Sequence, residues 1–143
     1  MRRPFMTSLS RYALLSALVL SVPAMASAQS SPAKKIAPGV YQVVPDANFA
    51  GGMDLSGFSM RFEGDSVMVI EQSGAMMTRS RTSYDGEHLV WTDLEGELMC
   101  PGTARYKLVF SQEGRSIRLT PVEDGCAERS AIIAQISLQR KGG

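Results

Sequence analysis

Residues suited to catalysis or metal binding are scarce in this chain. It has one histidine, one tryptophan and two cysteines in 143 residues. The single histidine, His88, would have to serve any Ser–His or Cys–His catalytic pair. It stands next to Glu87 and alternates with Val90 just after a turn, the setting of a rim or surface histidine. Two cysteines and one histidine are too few for a structural zinc site, and no CxxC redox spacing occurs. No apolar run is long enough to span a bilayer, which takes about 20 residues. An excess of one charge is missing as well, with 15 Lys+Arg against 14 Asp+Glu. That balance excludes nucleic acid as the main partner, because phosphate binding needs clustered positive charge.

What is present begins with three zones. Arg2, Arg3 and Arg11 form a basic region, residues 12–22 an apolar run, and Ala26-Ser27-Ala28 a small-x-small site before Gln29. This is the layout of a secretory signal peptide over residues 1–28, a signal helix removed on export. The expected location is the periplasm or the secreted fraction. No cysteine stands directly after the apolar run, so lipid attachment at a mature N-terminal cysteine is not expected. Taking the three signal arginines from the 15 basic residues leaves 12 against 14 acidic ones in residues 29–143. A chain of that length suits one domain with its own core.

Export places Cys100 and Cys126 in an oxidising compartment, where an even pair becomes a structural disulfide. Closing such a loop would stabilise the fold by roughly 3 kcal/mol in the chain-entropy picture.

Residues 29–38 are polar, contain Pro32 and Pro38, and read as a flexible leader. From Gly39 onward apolar residues recur with period two, and turn signals come about every ten residues. The expected strands are 40–44, 58–62, 67–71, 76–84, 87–93, 103–111, 116–120 and 131–140. Residues 46–57 form a glycine-rich loop, and 121–130 hold Cys126 and a short helical turn. Eight short strands joined by tight turns predict an all-β fold over residues 39–140. An antiparallel up-and-down barrel is favoured because closure removes exposed edges.

Three blocks carry a resemblance: Gly39-Val40-Tyr41, then the segment 100–106 (CPGTARY), then 117–129 (IRLTPVEDGCAER). With the strand–turn–strand series between them, residues 39–140 resemble the small secreted bacterial lipocalin-like, or calycin-type, domains. The resemblance implies an eight-stranded barrel, a bridge between the two late cysteines, and an arginine three residues after the second, here Arg129 after Cys126. Tyr41 departs from the Gly-x-Trp opening of lipocalins, and the one tryptophan, Trp91, falls in mid-sheet. The resemblance implies a fold and no particular ligand.

Alternation assigns Phe58, Met60, Phe62, Met68, Ile70, Leu89, Trp91, Tyr106, Leu108, Phe110, Ile117 and Leu119 to the interior. Met60, Met68 and Met76 fall on successive strands. They suit core filling, a soft lining for an apolar ligand or, more sharply, a Cu(I) thioether site. An inward row of Met76, Thr78, Ser80, Thr82 and Tyr84 would add a polar uncharged side and leave Arg79 and Arg81 outside. The opposite register would point both arginines inward to bind an anion, and the outward one is favoured because it buries no unpaired charge. Asp93, Glu95 and Glu97 could pair as acid and base, but they flank Gly96 in an expected solvated loop, which is the favoured reading. Arg129 is expected to cap the barrel end or to pair with Glu128 or Asp124.

The functional expectation is an exported, non-catalytic module with no cofactor and no membrane span, binding a small apolar ligand inside the barrel. The candidate binding residues are Phe58, Met60, Phe62, Met68, Met76, Thr78, Trp91, Tyr106 and Phe110. The alternative is a protein-interaction module, such as a periplasmic protease-inhibitor-like barrel acting through the leader or the 46–57 loop. An enzyme ranks third, because no nucleophile and base converge.

Overall fold

A computed structural model describes residues 35–142. The expected signal peptide and residues 29–34 of the expected leader lie outside the described residues. The strands are β1 (Gly39–Pro45), β2 (Phe58–Phe62), β3 (Val67–Gln72), β4 (Ala75–Tyr84), β5 (His88–Gly96), β6 (Thr103–Ser111), β7 (Ser116–Asp124) and β8 (Ile136–Arg140). A short helix, α1 (Ala127–Ile133), precedes β8. Each strand pairs with its sequence neighbours, and β8 returns antiparallel to β1, closing an eight-stranded barrel. Closure leaves no sheet edge.

The barrel follows from alternation and turn chemistry. In β6 the pattern of burial is strictly alternate through Leu108, with Ala104, Tyr106 and Leu108 enclosed and Arg105 and Lys107 exposed. Ser73 and Gly74 join β3 to β4 with φ of 51° and 86°. Two consecutive positive φ values are what a tight hairpin between right-twisted strands demands. The expected interior set is inside: all twelve side chains are buried except Ile70 and Phe110, which are partly buried and pack against the core. Arg79, Arg81, Arg105, Lys107 and Arg118 are exposed on the outer wall.

An up-and-down order sorts the connections to two ends. One end, the α1 end, carries loops 46–57, 73–74 and 97–102 together with α1. The far end carries residues 35–38, the other turns and the C-terminus. At the far end Tyr41 stands edge-on to Phe62 at 5.5 Å, and Tyr84 meets Phe110 at 6.1 Å. The Tyr41 hydroxyl donates to the Ala37 carbonyl at 2.9 Å. Ile36 is only 1% exposed and belongs to the core. The ordered chain therefore enters the core before Gly39, inside the stretch expected to be leader, because Ile36 supplies apolar surface that the barrel buries.

Three irregularities reset the strand pattern. Between β3 and β4 the pairing passes from Ile70↔Thr78 to Glu71↔Met76, leaving Met77 extra. This β-bulge reverses the parity of β4. Met76 is consequently 49% exposed on the outside, against its expected inward position, and Met77 packs against the core in its place. Leu94 is the extra residue between β4 and β5, and Val122 between β6 and β7. Beyond Val122 the strand β7 continues to Asp124, where an end at Thr120 was expected. The expected strand 131–140 is divided between α1 and β8. Arg129 and Ile133, the two buried residues of α1, are four apart and share one helix face. That spacing lets a helix enclose both on the barrel side.

Candidate binding site at the α1 end of the barrel

A cavity of about 140 Å3 opens at the α1 end. Its inner wall is made by Val43, Phe58, Met60 and Ile70 from β1, β2 and β3, and by Trp91 and Asp93 from β5. The 46–57 loop adds Met53 and Leu55, and the 97–102 loop adds Leu98 and Cys100. Helix α1 contributes Glu128, Arg129, Ile132 and Ile133. Met53 and Leu98 are each 38% exposed and stand at the mouth, whereas Trp91 and Met60 are enclosed. The 97–102 loop is tied to the start of α1 by the Cys100–Cys126 disulfide, with Cα atoms 6.1 Å apart.

Beside the cavity lies an enclosed polar network centred on Arg129. Its Nε and Nη2 donate to the two oxygens of Asp124 at 2.9 and 2.8 Å, a bidentate grip, and its Nη1 donates to Asp93 at 2.7 Å. The side chains of Asp93 and Asp124 are 1% and 0% exposed. Each carboxylate is also fed by neutral donors. Asp93 accepts from the Ser80 hydroxyl at 2.7 Å, the Cys100 amide at 2.9 Å and the Trp91 indole N–H. Asp124 accepts from the Cys126 amide at 2.8 Å and from the Tyr106 hydroxyl. The amides of both bridged cysteines therefore hold the two aspartates, so disulfide and network form one unit.

The network sets its own protonation. Burial alone would raise the Asp124 carboxyl, but bonds from Arg129, Tyr106 and the Cys126 amide hold it below the usual carboxylate range. Burial alone would likewise weaken the Arg129 cation, but Asp124 and then Asp93 keep it charged more firmly than a free guanidinium. The Tyr106 hydroxyl is pushed well above its ordinary value, first by burial and then by donation to Asp124.

Of the nine expected binding residues, Phe58, Met60 and Trp91 line the cavity. Phe62, Met68 and Tyr106 are buried in the core and do not line it, Tyr106 belonging to the network beside it. Phe110 packs against Tyr84 at the far end. Thr78 is enclosed, with no hydrogen bond from its hydroxyl. Met76 lies outside, so the three methionines proposed to come together do not. Thr78, Ser80 and Thr82 do form an inward row, and Arg79 and Arg81 face out. His88 is partly buried in the first residue of β5, 3.2 Å from Arg105. Glu95 and Glu97 are exposed, but Asp93 is not part of a solvated loop: β5 runs on to Gly96 and turns Asp93 inward. The signal for this was the period-two series Leu89, Trp91, Asp93. Asp124 had no such signal, because the Val122 bulge alone brings it round. Arg129 caps the barrel end and pairs with Asp124, as expected, and additionally with Asp93.

In comparisons with protein-family models, curated proteins and solved structures, the chain matches none.

Proposed function

We propose that this chain is an exported, non-catalytic binding module of the lipocalin-like kind, holding a small apolar group in the cavity at the α1 end. The cavity itself carries this reading: its wall is apolar apart from one edge occupied by Asp93, Glu128 and Arg129. Size narrows the guest. A volume of about 140 Å3 is close to that of an apolar cavity able to hold benzene, about 150 Å3. It falls below the roughly 300 Å3 at which drug-sized pockets begin. The guest is thus a single small ring, or one end of a longer chain whose remainder stays outside. Trp91 lines the cavity and is the one tryptophan of the chain. Its fluorescence should respond to short alkyl and single-ring aromatic compounds. An unchanged spectrum across such a panel, with unchanged NMR shifts of the lining residues, would contradict the reading.

The mature protein is proposed to start at Gln29 in the periplasm or the medium, and N-terminal sequencing of exported material tests this. A charged outer wall with Arg79, Arg81 and Lys107 exposed suits water there.

A protein-interaction role is the second reading. Met53, Met76, Leu94, Leu98, Met99 and Val122 are exposed apolar residues gathered at the same end. Such a rim suits a protein partner. A silent ligand panel would bring this reading forward.

A further inference from the structure

Resting on the small-ligand reading, we propose that the guest is a cation: an apolar group seated in the cavity and joined to an ammonium that remains at the mouth. The apolar wall accounts for the first half of that description. The charges along its polar edge account for the second.

Among the described residues Arg129 is the one cationic side chain lining the cavity, and it is already committed. It makes two bonds to Asp124 and one to Asp93, so a single guanidinium faces two carboxylates and the enclosed group carries a net negative charge. Glu128 also lines the cavity, is exposed, and makes no hydrogen bond or ion pair among the described residues. Asp54 and Glu97, in the two loops that border the mouth, are exposed too. Of the other arginines at this end, Arg118 is held by Asp46 at 2.9 Å. Arg79 lies on the outer wall opposite Glu95. A carboxylate or phosphate headgroup would therefore meet like charge at the mouth, and an ammonium would meet Glu128. Field lines concentrate in a cleft with low-dielectric walls, which strengthens this preference.

Three six-carbon probes with the same chain separate charge from apolar fit: hexylammonium, hexan-1-ol and hexanoate, titrated against the full mature protein and read by Trp91 fluorescence and NMR. Hexylammonium should bind about fivefold tighter than the alcohol, the scale of one exposed ion pair, and hexanoate should be the weakest. The advantage should shrink as salt rises to about 0.5 M, where exposed charges are screened. Within the Glu128→Gln variant, hexylammonium should lose most of its advantage over hexan-1-ol. If hexan-1-ol binds as well as hexylammonium, or hexanoate binds best, the cation inference is overturned and the apolar-ligand reading stands. If none of the three perturbs Trp91 or the lining resonances, the apolar-ligand reading itself falls.

Discussion

The guanidinium of Arg129 lies over the indole ring of Trp91, 5.2 Å from its centroid. The two residues are also joined at the edge, because the Trp91 N–H and an Arg129 N–H both donate to Asp93. One side chain from α1 thus covers the aromatic floor of the cavity and pairs with carboxylates on both β5 and β7. A cation over an indole contributes about 0.5–2 kcal/mol, less than the cost of leaving either aspartate unpaired.

Arg129→Met should therefore destabilise the domain by about 3–5 kcal/mol in urea unfolding, the scale of a buried ion pair broken from one side. Adding Asp93→Asn and Asp124→Asn should recover part of that loss, since the buried charge disappears. Arg129→Lys should fall between, keeping the charge but not the two-pronged geometry. An Arg129→Met variant with wild-type stability would remove the network from the account of how this end is closed.

Free-thiol labelling of the denatured, unreduced protein should give no signal from Cys100 or Cys126. Changing both to serine should cost roughly 3–4 kcal/mol for a loop of 26 residues. The same variant should loosen both the 97–102 loop and α1, seen as faster hydrogen exchange at the backbone amides of positions 100 and 126. Labelling of two thiols per chain would refute the bridge.

Stability should fall at both extremes of pH. The Asp124 carboxyl is held below its unfolded value, so its contribution is complete above about pH 4 and is lost as pH falls through the lower, folded value. The Tyr106 hydroxyl is raised, so its contribution is complete below about pH 10 and is lost as pH climbs toward the raised, folded value. Melting temperatures followed from neutral pH in each direction check both limbs. Tyr106→Phe should flatten the alkaline limb, and a limb left unchanged would assign it to other groups.

Gly96 should tolerate no side chain. It has φ of 123°, and a Cβ there would sit 2.2 Å from the Met77 carbonyl oxygen and 2.6 Å from the Thr78 Cα. Backbone atoms cannot yield as a flexible side chain can. Gly96→Ala should cost more than about 2 kcal/mol, above the usual range for a surface substitution. Gly102→Ala, also at positive φ but with no atom near the added Cβ, should cost less. Equal losses would mean that strain in φ, and not the close approach of β4, governs both positions.

Period-two alternation by itself determined the fold class, the eight strands and the inward set from Phe58 to Leu119, because a strand with one buried face cannot slip by a residue without exposing all of it. The pairing of Cys100 with Cys126 was equally legible, as two cysteines have one intramolecular choice. Tertiary structure decided what alternation does not encode. Bulges at Met77 and Val122 change the parity of a strand partway along, sending Met76 out and bringing Asp124 in. An extra residue in one strand is defined only against its partner, so neither strand alone reveals it. The Ile132-Ile133 pair suited a strand until Arg129 and Ile133 were seen to share a helix face. The site joins β5 to α1 through Arg129 and Asp93, residues 36 apart in the chain. That contact, and the cavity beside it, exist only once the barrel closes and long side chains from three segments compete for the same space.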